Sequence, residues 1–101
     1  MPKLKAKYWY LQPLKVGSST VEVRYSKDLD SFGTYCSYPH PTICLGDQSE
    51  SIVASTLFHE SLHSISDLFE LGLTEHQVRV LEQVVVSLLK DNPTLTKNLL
   101  K

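Results

Sequence analysis

The sequence predicts an α+β fold in which a small antiparallel sheet of three to four short strands, over residues 3–45, precedes an antiparallel helix hairpin, over 48–71 and 75–91. Three observations carry this expectation. In the first half, apolar residues alternate with polar ones, as they do along a half-buried strand. In the second half they recur every three or four residues, as on one face of a helix. Capping signals bracket both helical stretches: Asp47 with Glu50 and Thr74 with Gln77 at the starts, Gly72 and Asp91-Asn92-Pro93 at the ends.

The chain has 101 residues, enough for one domain spanning 1–101 and too few for a second core. Residues 3–11 set Leu4, Ala6, Tyr8 and Tyr10 against Lys3, Lys5, Lys7 and Trp9, which is strand periodicity ending before Pro13. Val21, Val23 and Tyr25 repeat it over 20–25, and Gly17-Ser18-Ser19 supplies the turn of a hairpin. Residues 26–33 are poor in apolar side chains and read as a loop or a single helical turn. Residues 34–38 and 42–45 read as a further pair of short strands, or as one strand broken at Tyr38-Pro39-His40-Pro41, where two prolines without a ladder donor favour a sheet edge. The first helix carries Ile52, Val53, Leu57, Leu62, Ile65, Leu68 and Phe69 at helical spacing. The second carries Val78, Leu81, Val84, Val85, Leu88 and Leu89, and residues 94–101 add at most a short terminal helix.

The formal net charge of −1 and pI near 6.4 give no electrostatic drive towards nucleic acid or an anionic membrane. No apolar stretch reaches the roughly 18 residues of a bilayer span, and the Met-Pro-Lys-Leu-Lys start lacks the apolar segment of a signal peptide. A cytoplasmic protein without nucleic-acid or membrane partners is expected. In that compartment Cys36 and Cys44 read as reduced core residues; in an oxidising one they can bridge two strands.

The chemistry concentrates in the first helix, at His59-Glu60-Ser61-Leu62-His63. Four residues apart on a helix, the imidazoles of His59 and His63 project from one face and can converge on one metal ion. Glu60 is then adjacent to the first ligand but outside the ligand shell, at the place of a general base for water. The bland alternative is two surface histidines beside a solvated glutamate. Given this composition, with four histidines in the chain, chance yields the pattern roughly once in 100 such sequences.

A hydrolytic zinc site takes three protein ligands and keeps one position open. Glu82, Glu75, Asp67, His76 and His40 are the candidates for the third. If the helices pair symmetrically about a turn at Gly72, the residue facing His63 is near position 82, so Glu82 is the expected ligand. Glu75 is the alternative and requires an earlier end to the first helix. Asp67 lies about 12 Å along the axis from His59, too far to join one ion, and suits a carboxylate that braces a ligand histidine. His40 and Tyr38, with Tyr35, are possible donors to a developing oxyanion because they immediately precede the active helix.

His59-Glu60-x-x-His63 with Asp67 resembles the zincin metallopeptidases, in the gluzincin-like branch whose third ligand is a glutamate on the next helix. The order of short sheet, active helix and second helix, over roughly residues 30 to 93, resembles the small ImmA/IrrE-like and SprT-like metallopeptidases of phages and prophages. The second helix departs from larger zincins in carrying no Asn-Glu pair. The resemblance implies a minimal zincin-like fold and Zn²⁺ as cofactor. It further implies hydrolysis of a protein or peptide substrate by a zinc-activated water, with Glu60 as general base. The edge strand near 42–45 is expected to hold that substrate by backbone pairing. The competing class is a metal-stabilised binding or regulatory protein of the same phage type, without proteolytic activity.

Overall fold

A computed structural model describes residues 8–101 of the chain. It is α+β: strands β1 (Leu14–Val16), β2 (Ser19–Tyr25), β3 (Gly33–Cys36) and β4 (Thr42–Leu45) form one sheet, followed by helices α1 (Glu50–Leu68), α2 (Glu75–Asp91) and α3 (Pro93–Leu99). The strand order is β1-β2-β4-β3. β1 pairs antiparallel with β2 and β3 antiparallel with β4, but β2 and β4 run parallel, so the sheet is mixed where an antiparallel one was expected. The reason is the long loop after β2. It carries the chain past the place beside β2 to the far edge, and the β3–β4 hairpin then returns β4 into the gap.

The expected first strand over 3–11 falls partly outside the described residues. Its remainder, from Tyr8 to Leu11, is a turn closed by the Leu11 amide donating to the Tyr8 carbonyl at 3.0 Å. The partner of β2 lies beyond Pro13 instead. Gly17 adopts φ +60 in the tight turn that joins them, and Leu14 faces Val21. One face of the sheet turns Val16, Val21, Val23, Ile43 and Leu45 onto Val53 and Leu57 of α1, and these residues form the core. The other face is polar. Cys36 lies opposite Thr42 and Cys44 opposite Thr34, so the thiols are diagonal to each other, both free, and outside the core that was expected to hold them.

The helices obey local signals with two corrections. α1 begins after Ser49, and Asp47, the expected N-cap, accepts a hydrogen bond from the Tyr25 hydroxyl at 2.9 Å. α1 also ends at Leu68, three residues before the expected 71. The Leu71 amide donates to the Ser66 carbonyl and the Glu70 amide to the Asp67 carbonyl, with Glu70 at φ 53. This is the Schellman closure, with Glu70 in the left-handed position usually taken by glycine, and Gly72 lies beyond it. The Leu73 amide then donates to the buried Ser66 hydroxyl at 2.8 Å, folding the connection back along α1. The expected capping box opens α2, with the Gln77 amide donating to Thr74 Oγ1 and the Thr74 amide to Gln77 Oε1. No helix among the described residues is long and apolar enough to cross a membrane.

A non-glycine residue in the left-handed region costs on the order of 1 kcal/mol. Glu70→Gly should therefore raise the thermal midpoint by a few degrees, net of the extra freedom glycine gives the unfolded chain. Gly72→Ala, at φ +65, should lower it. Calorimetric melts of the two variants check the pair, and a Glu70→Gly midpoint at or below that of the parent would contradict this account of the helix end.

Candidate metal centre

The centre is built on α1, whose core-facing stripe is Val53, Leu57, Glu60 and Ser64. Two of those four positions are polar. Ser64 satisfies its hydroxyl locally by donating to the Ser61 carbonyl at 2.7 Å. Glu60 is 7% exposed and accepts no hydrogen bond among the described residues, while it lines a cleft of about 1380 Å³ between α1, the β3 edge and the start of α2. Burial raises its carboxyl above the usual glutamate range; His59 and His63 oppose that rise without cancelling it.

Helical rotation of about 100° per residue turns His59 away from the sheet when Glu60 points into it. His63 follows four residues later, and the two rings lie edge to face with centroids 5.0 Å apart. Their partner is Glu75, the first residue of α2. One oxygen of its carboxylate is 2.8 Å from His59 Nε2 and the other 2.8 Å from His63 Nε2. One ligand atom from each of His59, His63 and Glu75 lies within 4.8 Å of the others, a group that can hold a metal ion. Partial burial works against the charge on Glu75, but the two histidines outweigh it and hold its carboxyl below the usual range.

Glu82, the ligand expected from hairpin symmetry, is elsewhere. Its Oε2 faces Nδ1 of His59 at 3.4 Å, and its Oε1 accepts from the Ser55 hydroxyl at 3.0 Å. The early end of α1 accounts for the exchange. The helices pair about the end of α1 rather than about Gly72, so Glu75 is drawn back beside the histidines and Glu82 lies a further two turns along. The signal that decides this, a glutamate in the left-handed position, has no clear mark in the sequence.

Asp67 does not brace a histidine. It accepts a 2.7 Å hydrogen bond from the Tyr35 hydroxyl on β3, and both residues line the cleft. The phenol proton is thereby committed to Asp67 rather than offered to an oxyanion. Tyr38 is 84% exposed, and His40 pairs with Glu22 at 2.6 Å; neither lines the cleft. His76 is exposed at the start of α2. Residues the sequence reading left aside shape the cleft instead. At Gly33 a Cβ would meet Thr56 Cγ2 at 2.8 Å and Glu60 Cγ at 3.2 Å, so its lack of a side chain lets the sheet edge close onto the helix at the buried carboxylate. Nor is β4 the edge, since β2 and β3 flank it; the free edge beside the cleft is β3.

Compared with known proteins, the chain matches no family model, no curated protein and no solved structure. The function must be argued from the geometry of the centre itself.

Burial, and then the Asp67 carboxylate, push the Tyr35 hydroxyl up to about 12. A phenol raised in the folded state adds stability that is fully present below its unfolded value near 10 and is lost as the pH climbs towards 12. The phenolate absorbance of the parent, minus that of Tyr35→Phe, should titrate in this upper window. Asp67→Asn should move the difference curve towards lower pH, and an unmoved curve would show that Asp67 does not hold the phenol.

Proposed function

We propose that this protein is a small zinc-dependent metallopeptidase, with His59, His63 and Glu75 as metal ligands and Glu60 as general base. The observation that carries the reading is the convergence of two Nε2 atoms and a carboxylate on the cleft wall, next to Glu60, a largely buried side chain whose carboxylate opens onto the same cleft and makes no hydrogen bond among the described residues. The donor set fits zinc: two imidazoles and one carboxylate are the three-ligand complement of hydrolytic sites, and one ligand atom of each lies within 4.8 Å of the others. Zinc bound there supplies the Lewis acidity that makes water a nucleophile near neutral pH and polarises the scissile carbonyl.

The chain's own residues supply the rest. Glu60 takes the proton released as water attacks and passes it to the departing amine. The β3 edge, lining the same cleft, offers backbone groups to an extended peptide, and the cleft is open enough to admit one. Glu60 also separates this reading from a metal-stabilised binding protein. A structural zinc has no use for an unligated carboxylate facing the cleft from a largely buried side chain, where desolvation disfavours its charge.

Two outcomes test the proposal. Protein purified without chelator should carry one zinc per chain by metal analysis, and the double variant His59→Ala, His63→Ala should carry none. Full zinc content in that variant would end the assignment. Glu60→Gln should keep its zinc and lose at least about a hundredfold in the rate of peptide hydrolysis, since acid-base assistance is worth 10² to 10⁴. A Glu60→Gln protein that retains both zinc and full cellular function would instead establish the binding module.

A further inference from the structure

His59 is held at both ring nitrogens. Glu75 Oε1 is 2.8 Å from Nε2, and Glu82 Oε2 is 3.4 Å from Nδ1 on the opposite side of the ring. Glu82 is itself fixed, because Ser55, four residues before His59 on α1, donates its hydroxyl to the other carboxylate oxygen at 3.0 Å. The His59 and Glu82 side chains are only 17% and 16% exposed, so water competes weakly for this contact. His63 has no counterpart: among the described residues its only hydrogen-bond or ion-pair partner is Glu75, at Nε2.

A neutral imidazole carries its hydrogen on one nitrogen and a lone pair on the other, and an acceptor placed at one nitrogen decides which is which. We propose that Glu82 is a positioning residue for His59. It accepts the Nδ1–H, thereby fixing the ring's orientation and leaving the Nε2 lone pair for the metal. This inference rests on the metal centre proposed above. Glu82 lies outside the group that can hold an ion, since its carboxylate faces Nδ1 of His59 while Glu75 faces Nε2. Ser55 completes a line from hydroxyl to carboxylate to imidazole, two of whose members sit one turn apart on the same helix.

The test is the zinc affinity of the full chain, measured by competition with a chromophoric chelator. It is paired with long-range proton-nitrogen correlation spectra of the zinc-loaded protein, which report the hydrogen on each ring nitrogen. Partners of this kind are worth about ten- to a hundredfold in metal affinity, and Glu82→Ala should show a loss of that size. Glu82→Gln, whose amide oxygen still accepts from Nδ1–H, should recover most of it. Ser55→Ala should fall between the parent and Glu82→Ala. The spectra should show His59 protonated at Nδ1 in the parent, and that hydrogen should exchange faster with water in Glu82→Ala, with the His63 signals unchanged. Should Glu82→Ala fail to fold, the Gln and Ser55 variants carry the test by the same two readouts.

Parent affinity in Glu82→Ala, with an unchanged His59 signal, would overturn the positioning role and leave the metal centre standing. Loss as complete as in His59→Ala, unrelieved by Gln, would make Glu82 a ligand and overturn it too. A parent chain that binds no zinc would remove the metal centre itself, a result distinct from either.

Discussion

A carboxylate in the wrong place for stability organises this molecule. Glu60 occupies a position in the buried stripe of α1 where Val53 and Leu57 would predict another aliphatic side chain, and it is as buried as they are. Setting a carboxylate there disfavours its charge, and the fold tightens the confinement: Gly33 brings the sheet edge to van der Waals distance of Glu60 itself. Because neighbouring helical residues point about 100° apart, burying Glu60 on the sheet side commits His59 and His63 to the side where α2 arrives. The direction of the centre is thus settled by one helix rotation.

Four carboxylates then take four different parts although their chemistry is identical. Glu60 opens onto the cleft from a buried position without a hydrogen bond, Glu75 bridges two imidazoles, Glu82 stands behind one of them, and Asp67 receives a phenol. Surroundings distribute these parts. The two histidines lower Glu75 and desolvation raises Glu60.

What was legible in the sequence was what depends on near neighbours. The capping box at Thr74 and Gln77, the turn at Gly17 and the helical spacing of the two histidines are written in residues at most four apart, and the structure places each where the sequence puts it. The parallel pairing of β2 with β4 was not legible, because nothing in either strand names its neighbour across a long loop. The first strand was displaced because Pro13 reads as a terminator, whereas here it lies just before β1. The third member of the metal group turned on a single backbone angle, at Glu70. Gly72 advertises a helix end more strongly than a glutamate does, and trusting it moved the expected partner from Glu75 to Glu82.

The connection between α1 and α2 therefore has a standing that surface connections seldom have. Loops ordinarily absorb insertions and deletions with little consequence, since their ends stay anchored while the middle bulges. Here Glu75 is the first helical residue after the connection, and the path to it is fixed by the amides of Glu70, Leu71 and Leu73 on the last turn of α1. One residue added or removed between Glu70 and Thr74 would shift the phase at which α2 begins. The carboxylate would leave the histidines, and Val78, fully buried on the same helix, would be turned from its place. In a lineage of such chains, length in this segment would be held as strictly as identity is at His59 or His63.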